Sequence, residues 1–308
     1  MIQANRVSAR RGWEWVRQGF VLFRKSPVLW LAMAFVYLAF AILLSRIPFI
    51  GWLILILFTP LFLVGALPVA EAIAGPGLPA DAVPTLPAAR NFRERGTWRE
   101  WVLYLRDLLA RAARRLLHGF SSEEKLMPLM IVSTLLLGGT VAIGILAQLL
   151  KVGGTAVQAV LTGSIAPMAV ISVLIGLIIV LAFEALLLMA FLYVVPLILF
   201  RGEHPLPAIE SSFSASLNNY GAFGVFVTVF ALCGEITRLI FNGFSEMSTQ
   251  FGHLAYYHEL VAWLASALAV AAAYLAVLFS GLVLLPVLAA GLYASYLDLY
   301  TKTRNNGA

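Results

Sequence analysis

Six stretches of this chain run for about twenty residues or more with almost no ionisable side chain: 28–44, 51–70, 126–149, 169–199, 221–240 and 260–292. At about 1.5 Å per residue, helices of that length cross about 30 Å of hydrocarbon. There, only helices and closed barrels satisfy every backbone group internally. Composition agrees, since 61% of the 308 residues are hydrophobic and 12% charged, too little polar surface to cover a water-soluble globule. The sequence therefore reads as an all-α, polytopic membrane protein, one domain over 1–308, with six transmembrane helices in three hairpins. Pro27 stands at the entry of the first span, where a missing N–H costs nothing. The fourth and sixth spans exceed the bilayer and must tilt, kink or protrude, with Pro196 and Pro286 as the expected kinks.

The charge pattern sets orientation. Of 21 Lys and Arg, all but Arg46, Lys151 and Arg238 fall on the side of the hairpins that carries both termini, so both termini should be cytoplasmic. Cys233 is the single cysteine, which forbids an intrachain disulfide. Residues 1–25 are rich in Arg and aromatics and lack a small-residue cleavage site, so no removable leader is expected.

A stretch with helical periodicity and a polar face precedes each odd-numbered span and reads as an amphipathic helix lying in the cytoplasmic interface. The first sets Trp13, Val16, Phe20 and Phe23 beside Arg10, Arg17 and Arg24, placed to reach lipid phosphates. The second runs from Thr97 to His118, within the 75–125 segment. It has Trp98, Trp101, Val102, Leu105, Leu109, Ala112 and Leu116 at spacings of three and four, against Arg99, Arg106, Arg111, Arg114 and Arg115. Asp107 precedes Arg111 at the favourable i,i+4 spacing. The third, Pro207 to Tyr220, places Ile209, Phe213, Leu217 and Tyr220 on a stripe beside Ser211, Ser214 and Asn218. Between the second span and the second amphipathic helix, Pro76, Pro79, Pro84 and Pro87 make a stiff linker.

Gly19-Phe20 matches Gly119-Phe120, Phe213 holds a corresponding place, and Pro60 with Gly65 is spaced like Pro286 with Gly291. Such matches suggest a parallel internal repeat of interfacial helix plus hairpin.

No phosphate-cradling loop, dinucleotide fingerprint, H-E-x-x-H or G-x-S-x-G occurs, which argues against ATP-driven transport and common hydrolysis. No nucleic-acid module is present, and anionic lipid explains the basic clusters better. No enzyme activity and no cofactor are expected. The best functional leads are ionisable groups inside spans, each costing about 2.5–3.5 kcal/mol at the bilayer centre. Glu184 lies near the middle of span four, and Glu235 and Arg238 share one face of span five. They form either a relay or polar seat for a solute, or an ion pair that fixes the register of spans four and five, with Arg238 snorkelling to the periplasmic interface. His253 and His258 are five residues apart, off one helical face, and read with Phe251, Tyr256 and Tyr257 as an aromatic belt rather than a metal site. Ala265, Ala269 and Ala273, then Ala272, Ala276 and Ser280, give span six a small-residue packing face.

Gly12-Trp13, Gly19-Phe20, Phe23-Arg24, Pro27, Trp30, Ile47-Pro48, Gly51, Pro60 and Gly65 resemble a family of poorly characterised six-span bacterial inner-membrane proteins. The helix from Pro207 to Tyr220 with span five is more distantly similar to the membrane domain of bacterial glycerophosphodiester phosphodiesterases, whose catalytic barrel has no counterpart here. The resemblance implies fold and location: a multi-pass protein of the bacterial inner membrane. Two functions follow as expectations. One is a non-enzymatic scaffold, accessory or envelope-maintenance protein whose partners are anionic membrane lipids and a protein subunit or second copy. The other is a secondary transporter for a small or lipidic solute using Glu184, Glu235 and Arg238. An intramembrane enzyme built on Glu184 and Glu235 is a third and weaker reading. A reporter fused to the C-terminus should be active in the cytoplasm, and activity confined to the periplasm would contradict the orientation.

Overall fold

A proline cannot continue a helical ladder and pushes the residue before it out of the helical region. The computed structural model, which describes residues 4–48, 50–75, 95–121, 123–150, 152, 163, 167–254 and 259–301, accordingly separates α1 (Arg10–Lys25) from α2 (Pro27–Ser45) at Ser26, with φ −145° and ψ 62°. There follow α3 (Ile50–Ala74), α4 (Arg95–Ser121), α5 (Glu123–Leu149), α6 (Pro167–Phe191), α7 (Val194–Arg201), α8 (Pro205–Asn218), α9 (Tyr220–Leu254) and α10 (Glu259–Tyr300). Helix is the only regular secondary structure among the described residues. Among the described residues six segments are long and apolar enough to cross a membrane: Pro27–Ser45, Ile50–Ala74, Lys125–Leu149, Val170–Arg201, Tyr220–Gly252 and Leu260–Tyr300. The expected Pro-rich linker, Lys151, Tyr256, Tyr257, His258, Lys302 and Arg304 lie outside the described residues, as do the side chains of Trp98, His118, Phe120 and His253.

Two helices outrun their apolar stretches. The fifth apolar run was read to end at residue 240, yet α9 continues to Leu254, and α10 continues past Leu292 to Tyr300. A helix satisfies its own backbone in water as well as in lipid, so hydropathy marks where lipid ends and not where the helix does. Ser248 Oγ lies 2.8 Å from Ser266 Oγ and ties the extension of α9 to α10. Pro286 leaves α10 uninterrupted, whereas the fourth span does break at Leu192–Tyr193, one turn before Pro196. The break has two causes. Pro196 has no N–H for the Leu192 carbonyl. Ser212 of α8 also inserts into the ladder: Tyr193 N–H donates to Ser212 Oγ at 3.1 Å, and that hydroxyl donates to the Met189 carbonyl at 2.9 Å.

Consecutive long helices pack as pairs, α2 on α3, α5 on α6 and α9 on α10. Three further helices, α1, α4 and α8, obey one rule. Each docks on the span pair that precedes it in cyclic order: α4 on α3 and α2, α8 on α6, α7 and α5, and α1 on α10 and α9. Span pairs meet through α3 with α5 and through α10 with α2, but α6 and α9 make no comparable contact, so the third joint stands open. Close approach at these seats rests on glycine. A Cβ on Gly65 would stand 2.5 Å from Leu116 Cα of α4, and one on Gly19 would meet the Val287 carbonyl and stand 2.8 Å from Gly291 N of α10. Gly65 and Gly291, the two glycines of the repeated Pro-Gly spacing, thus each receive a docked helix.

The buried core lies at one end of the molecule. It joins Trp15 and Leu22 of α1, the starts of α2, α5 and α9 (Trp30, Leu129, Phe226), the ends of α3 and α10 (Leu67, Leu292), and α7 (Leu197). Of the most apolar part of α3, 50% is buried, against 11% for α9 and α10. The rest of those helices faces outward. Of the expected small-residue stripes on α10, Ala269 and Ala273 are buried, while Ala265, Ala272, Ala276 and Ser280 are half-buried.

Replacing Gly19 by Ala should lower the midpoint of thermal unfolding in detergent by an amount equivalent to about 1–3 kcal/mol, the usual cost of overpacking. At Gly224 a Cβ meets nothing within 4 Å. Ala there should be neutral or stabilising by up to about 1 kcal/mol.

Candidate functional site

The structure separates the three ionisable residues singled out within the spans. Glu235 and Arg238 do pair, with Arg238 Nε 2.8 Å from Glu235 Oε2, but within one turn of α9 and on its exposed side. Glu184 is exposed on α6. Since α6 and α9 do not pack together, Glu184 is not brought to the Glu235–Arg238 pair, and the pair cannot fix the register of those two spans. Arg238 stands near the middle of α9, with about half of that helix still to run, rather than at its far end as expected. The clefts found between α2, α3 and α4, along α5, and between α1 and α10 are lined by none of the three.

The buried ionic group is a different one. Asp298, 5% exposed in the last turn of α10, accepts hydrogen bonds from Arg11 Nε and from Trp15 Nε1, each at 2.8 Å, and Arg11 also meets it through its terminal guanidinium nitrogen. A carboxylate at a helix C-terminus faces the negative end of the macrodipole. The Arg11 guanidinium offsets both that repulsion and the desolvation. The chain before α1 extends the group: Asn5 N–H donates to the Leu299 carbonyl at 2.8 Å, and Asn5 Nδ2 to the Asp298 carbonyl at 3.2 Å. Asn219, 3% exposed between α8 and α9, accepts from Val7 N–H at 2.7 Å and donates to the Asn5 carbonyl at 3.1 Å. Basic side chains cap the exits of three spans, α10 among them. Lys25 Nζ donates to the Ile73 carbonyl, Lys125 Nζ to that of Leu199, and Arg201 to that of Tyr300 while lying over the Tyr300 ring. Sequence reading missed this network because Asp298 lies beyond the last apolar run and Arg11 sits among other arginines. The one available signal was that Asp298 is the lone acidic side chain after Glu259.

The expected lipid-facing residues divide. On α1, Trp13, Phe20, Arg10, Arg17 and Arg24 are exposed, while Phe23 of the expected stripe is buried beside Trp15. Arg17 pairs with Glu14 at 2.9 Å. On α4, Tyr104, Leu108, Ala112 and Leu116 form the buried seam. Val102, Leu103, Leu105, Leu117, Arg99, Arg106 and Arg114 are exposed, and Trp101, Arg111 and Arg115 are half-buried. Asp107 lies 3.3 Å from Arg106. On α8 the expected stripe divides: Leu217 and Tyr220 are exposed, while Phe213 and Ile209 are half-buried and Ile209 packs against the core. The serine-rich side, Ser211, Ser212 and Ser216 with Ala208 and Ala215, is buried, while Leu206 is exposed. Small hydroxyl side chains fit the broken span and satisfy it, which larger apolar ones cannot. Among the described residues no group of His, Cys, Asp and Glu is placed to hold a metal ion.

A 75-residue stretch of the chain is 37% identical to a probable inner membrane protein of Burkholderia thailandensis, a stretch that covers 24% of this chain and 28% of that protein. No family model and no solved structure matches the chain. The likeness supports a membrane protein; the expected similarity to the phosphodiesterase membrane domain gains nothing from it.

Asp298→Ala should strand Arg11 and the Trp15 N–H. The cost should be about 3 kcal/mol, the low end for a buried pair because Arg11 is one-third exposed. It should be read as a lowered unfolding midpoint in detergent together with faster proteolysis before α1.

Proposed function

We propose that this chain is a multi-pass, non-enzymatic scaffold or accessory protein of the bacterial inner membrane, with both termini cytoplasmic. On this reading its six spans form three hairpins, each entered from a cytoplasmic interfacial helix, with α1 and α4 engaging anionic lipid head groups and the protein binding a partner subunit or second copy. One observation carries the proposal. At the end of the molecule that holds the buried core, the three docked helices turn apolar side chains outward, and on α1 and α4 arginines stand beside them, while the charges inside the spans are scattered over separate outer faces. Apolar residues alternating with Arg are the pattern that anchors a helix in an anionic leaflet, where each basic residue contributes about 1 kcal/mol. The six spans and the likeness to an inner membrane protein support the location.

A carrier for a small or lipidic solute is the second reading, and the open joint favours it: α6 bears Glu184, α9 bears Glu235 and Arg238, and these two helices flank the gap. Such a carrier would need solvent to reach these groups at mid-depth.

Purification of the full chain in native lipid, with identification of what co-elutes, separates the two. A stoichiometric protein partner together with retained anionic lipid is the expected result. A specific bound metabolite whose retention is lost in Glu184→Gln at normal protein level would overturn the scaffold in favour of the carrier.

A further inference from the structure

We propose that the cleft between α2, α3 and α4 is a binding site for one acyl chain of an anionic phospholipid whose phosphate is held by Arg114. The proposal rests on the membrane role given above to α4 and goes beyond it by assigning a site. Two aromatic pairs bridge α2 and α3 and wall the cleft, Tyr37 with Phe62 at 4.5 Å between ring centres and Phe40 with Phe58 at 5.5 Å. Its roof is α4, which contributes Ala113 and Leu117 and is held against α3 by the close approach at Gly65.

The chemistry of the lining selects the ligand. The one hydroxyl in the wall, that of Tyr37, is already engaged with Thr59 Oγ1 at 3.3 Å, and Thr59 in turn donates to the Leu55 carbonyl. No polar group is left for a polar solute, so what enters must be hydrocarbon. The cleft holds about 230 Å³ and is open on one side. Pockets that enclose a drug-sized molecule run to roughly 300–1,000 Å³. The volume therefore suits a segment of one chain, the remainder of which continues into the bilayer.

The head-group seat follows from helical spacing. Arg114 lies between Ala113 and Leu117 and is exposed, one turn before the exposed Leu117. Its Nε reaches the Ala110 carbonyl at 3.3 Å, and among the described residues it makes no ion pair. A guanidinium carries five donors in a planar fork, so most of them remain available to a phosphate. A hydrocarbon-lined cleft with an arginine at its rim matches an amphiphile with an anionic head and fits neither a soluble metabolite nor an apolar solute.

The test uses the full chain in nanodiscs of phosphatidylcholine containing a minor fraction of phosphatidylglycerol with a photoactivatable group midway along one acyl chain. Cross-linked peptides are then identified by mass spectrometry. Label should concentrate at 36–40, 58–62 and 113–117 over the outward faces of α9 and α10. Leu117→Trp should abolish that excess by narrowing the mouth. Arg114→Gln should lower it about fivefold, the factor that corresponds to about 1 kcal/mol for one basic residue at an anionic surface. It should not change label from a phosphatidylcholine analogue. Both positions are exposed, so neither substitution disturbs the core. Label spread evenly over all outward faces, or unmoved by either substitution, would overturn the site while leaving the scaffold reading intact. Loss of co-eluting lipid and partner with the label still concentrated would do the reverse.

Discussion

Hydrocarbon gives helices no hydrophobic reason to pack, because lipid tails are as apolar as leucine, so close contact between spans rests on shape and hydrogen bonding. The buried apolar residues gather at one end, where α1, α4 and α8 dock on the starts and ends of the long helices. α10 has 42 residues. At about 1.5 Å per residue it measures roughly 63 Å, about twice the hydrocarbon thickness. Its core residues begin at Val287, toward its end. In the remainder of α9 and α10 the buried side chains are small, Ser248, Ala262, Ala269 and Ala273, and Phe241 meets Tyr274 edge to face at 5.7 Å between ring centres.

Cyclic docking follows from the same constraint. An amphipathic helix that precedes a span can cover the exit of its neighbour, removing apolar surface from water and bringing donors to the last carbonyls. At α4 this is achieved through Gly65, at α8 through serines inserted beside Met189, and at α1 through Gly19 against Gly291 with Arg11 and Trp15 on Asp298. The last of these joins the first helix to the last, so the ring of docked helices closes on the chain's own beginning. At the level of the spans it does not close. The joint between α6 and α9 lacks the contact that α3 makes with α5 and α10 with α2.

Much of this was legible in the sequence and the remainder has a common physical cause. Apolar length revealed six candidate spans, Pro27 the α1–α2 boundary, Pro196 the break in the fourth span, and three-and-four spacing the helices α1, α4 and α8. Periodicity shows that a helix has two faces without showing what covers each. So the stripe of Ile209, Phe213, Leu217 and Tyr220 on α8 gives no sign that the broken span needs Ser212 from the other side, and the stripe on α1 includes Phe23, which joins Trp15 in the core. Depth along a helix likewise says nothing of neighbours. Glu184 and Glu235 were matched by counting from opposite faces, while the order of packing leaves their helices apart. The Asp298 group needed long-range contacts between residues nearly three hundred positions apart, for which one sequence carries no local signal.

The closure of the ring by α1 is the most exposed part of this account. A Cβ on Gly221, at the start of α9, would stand 3.1 Å from the Ala9 Cβ just before α1. That is near the roughly 3.5–4.5 Å separation that a disulfide spans after a small adjustment. With Cys233 replaced by serine, Ala9→Cys and Gly221→Cys in one chain should cross-link rapidly on mild oxidation in native membranes, giving a faster-migrating band that reductant abolishes. Two cysteines that both react with a soluble thiol reagent yet never join would contradict the docking of α1 on the last pair of spans.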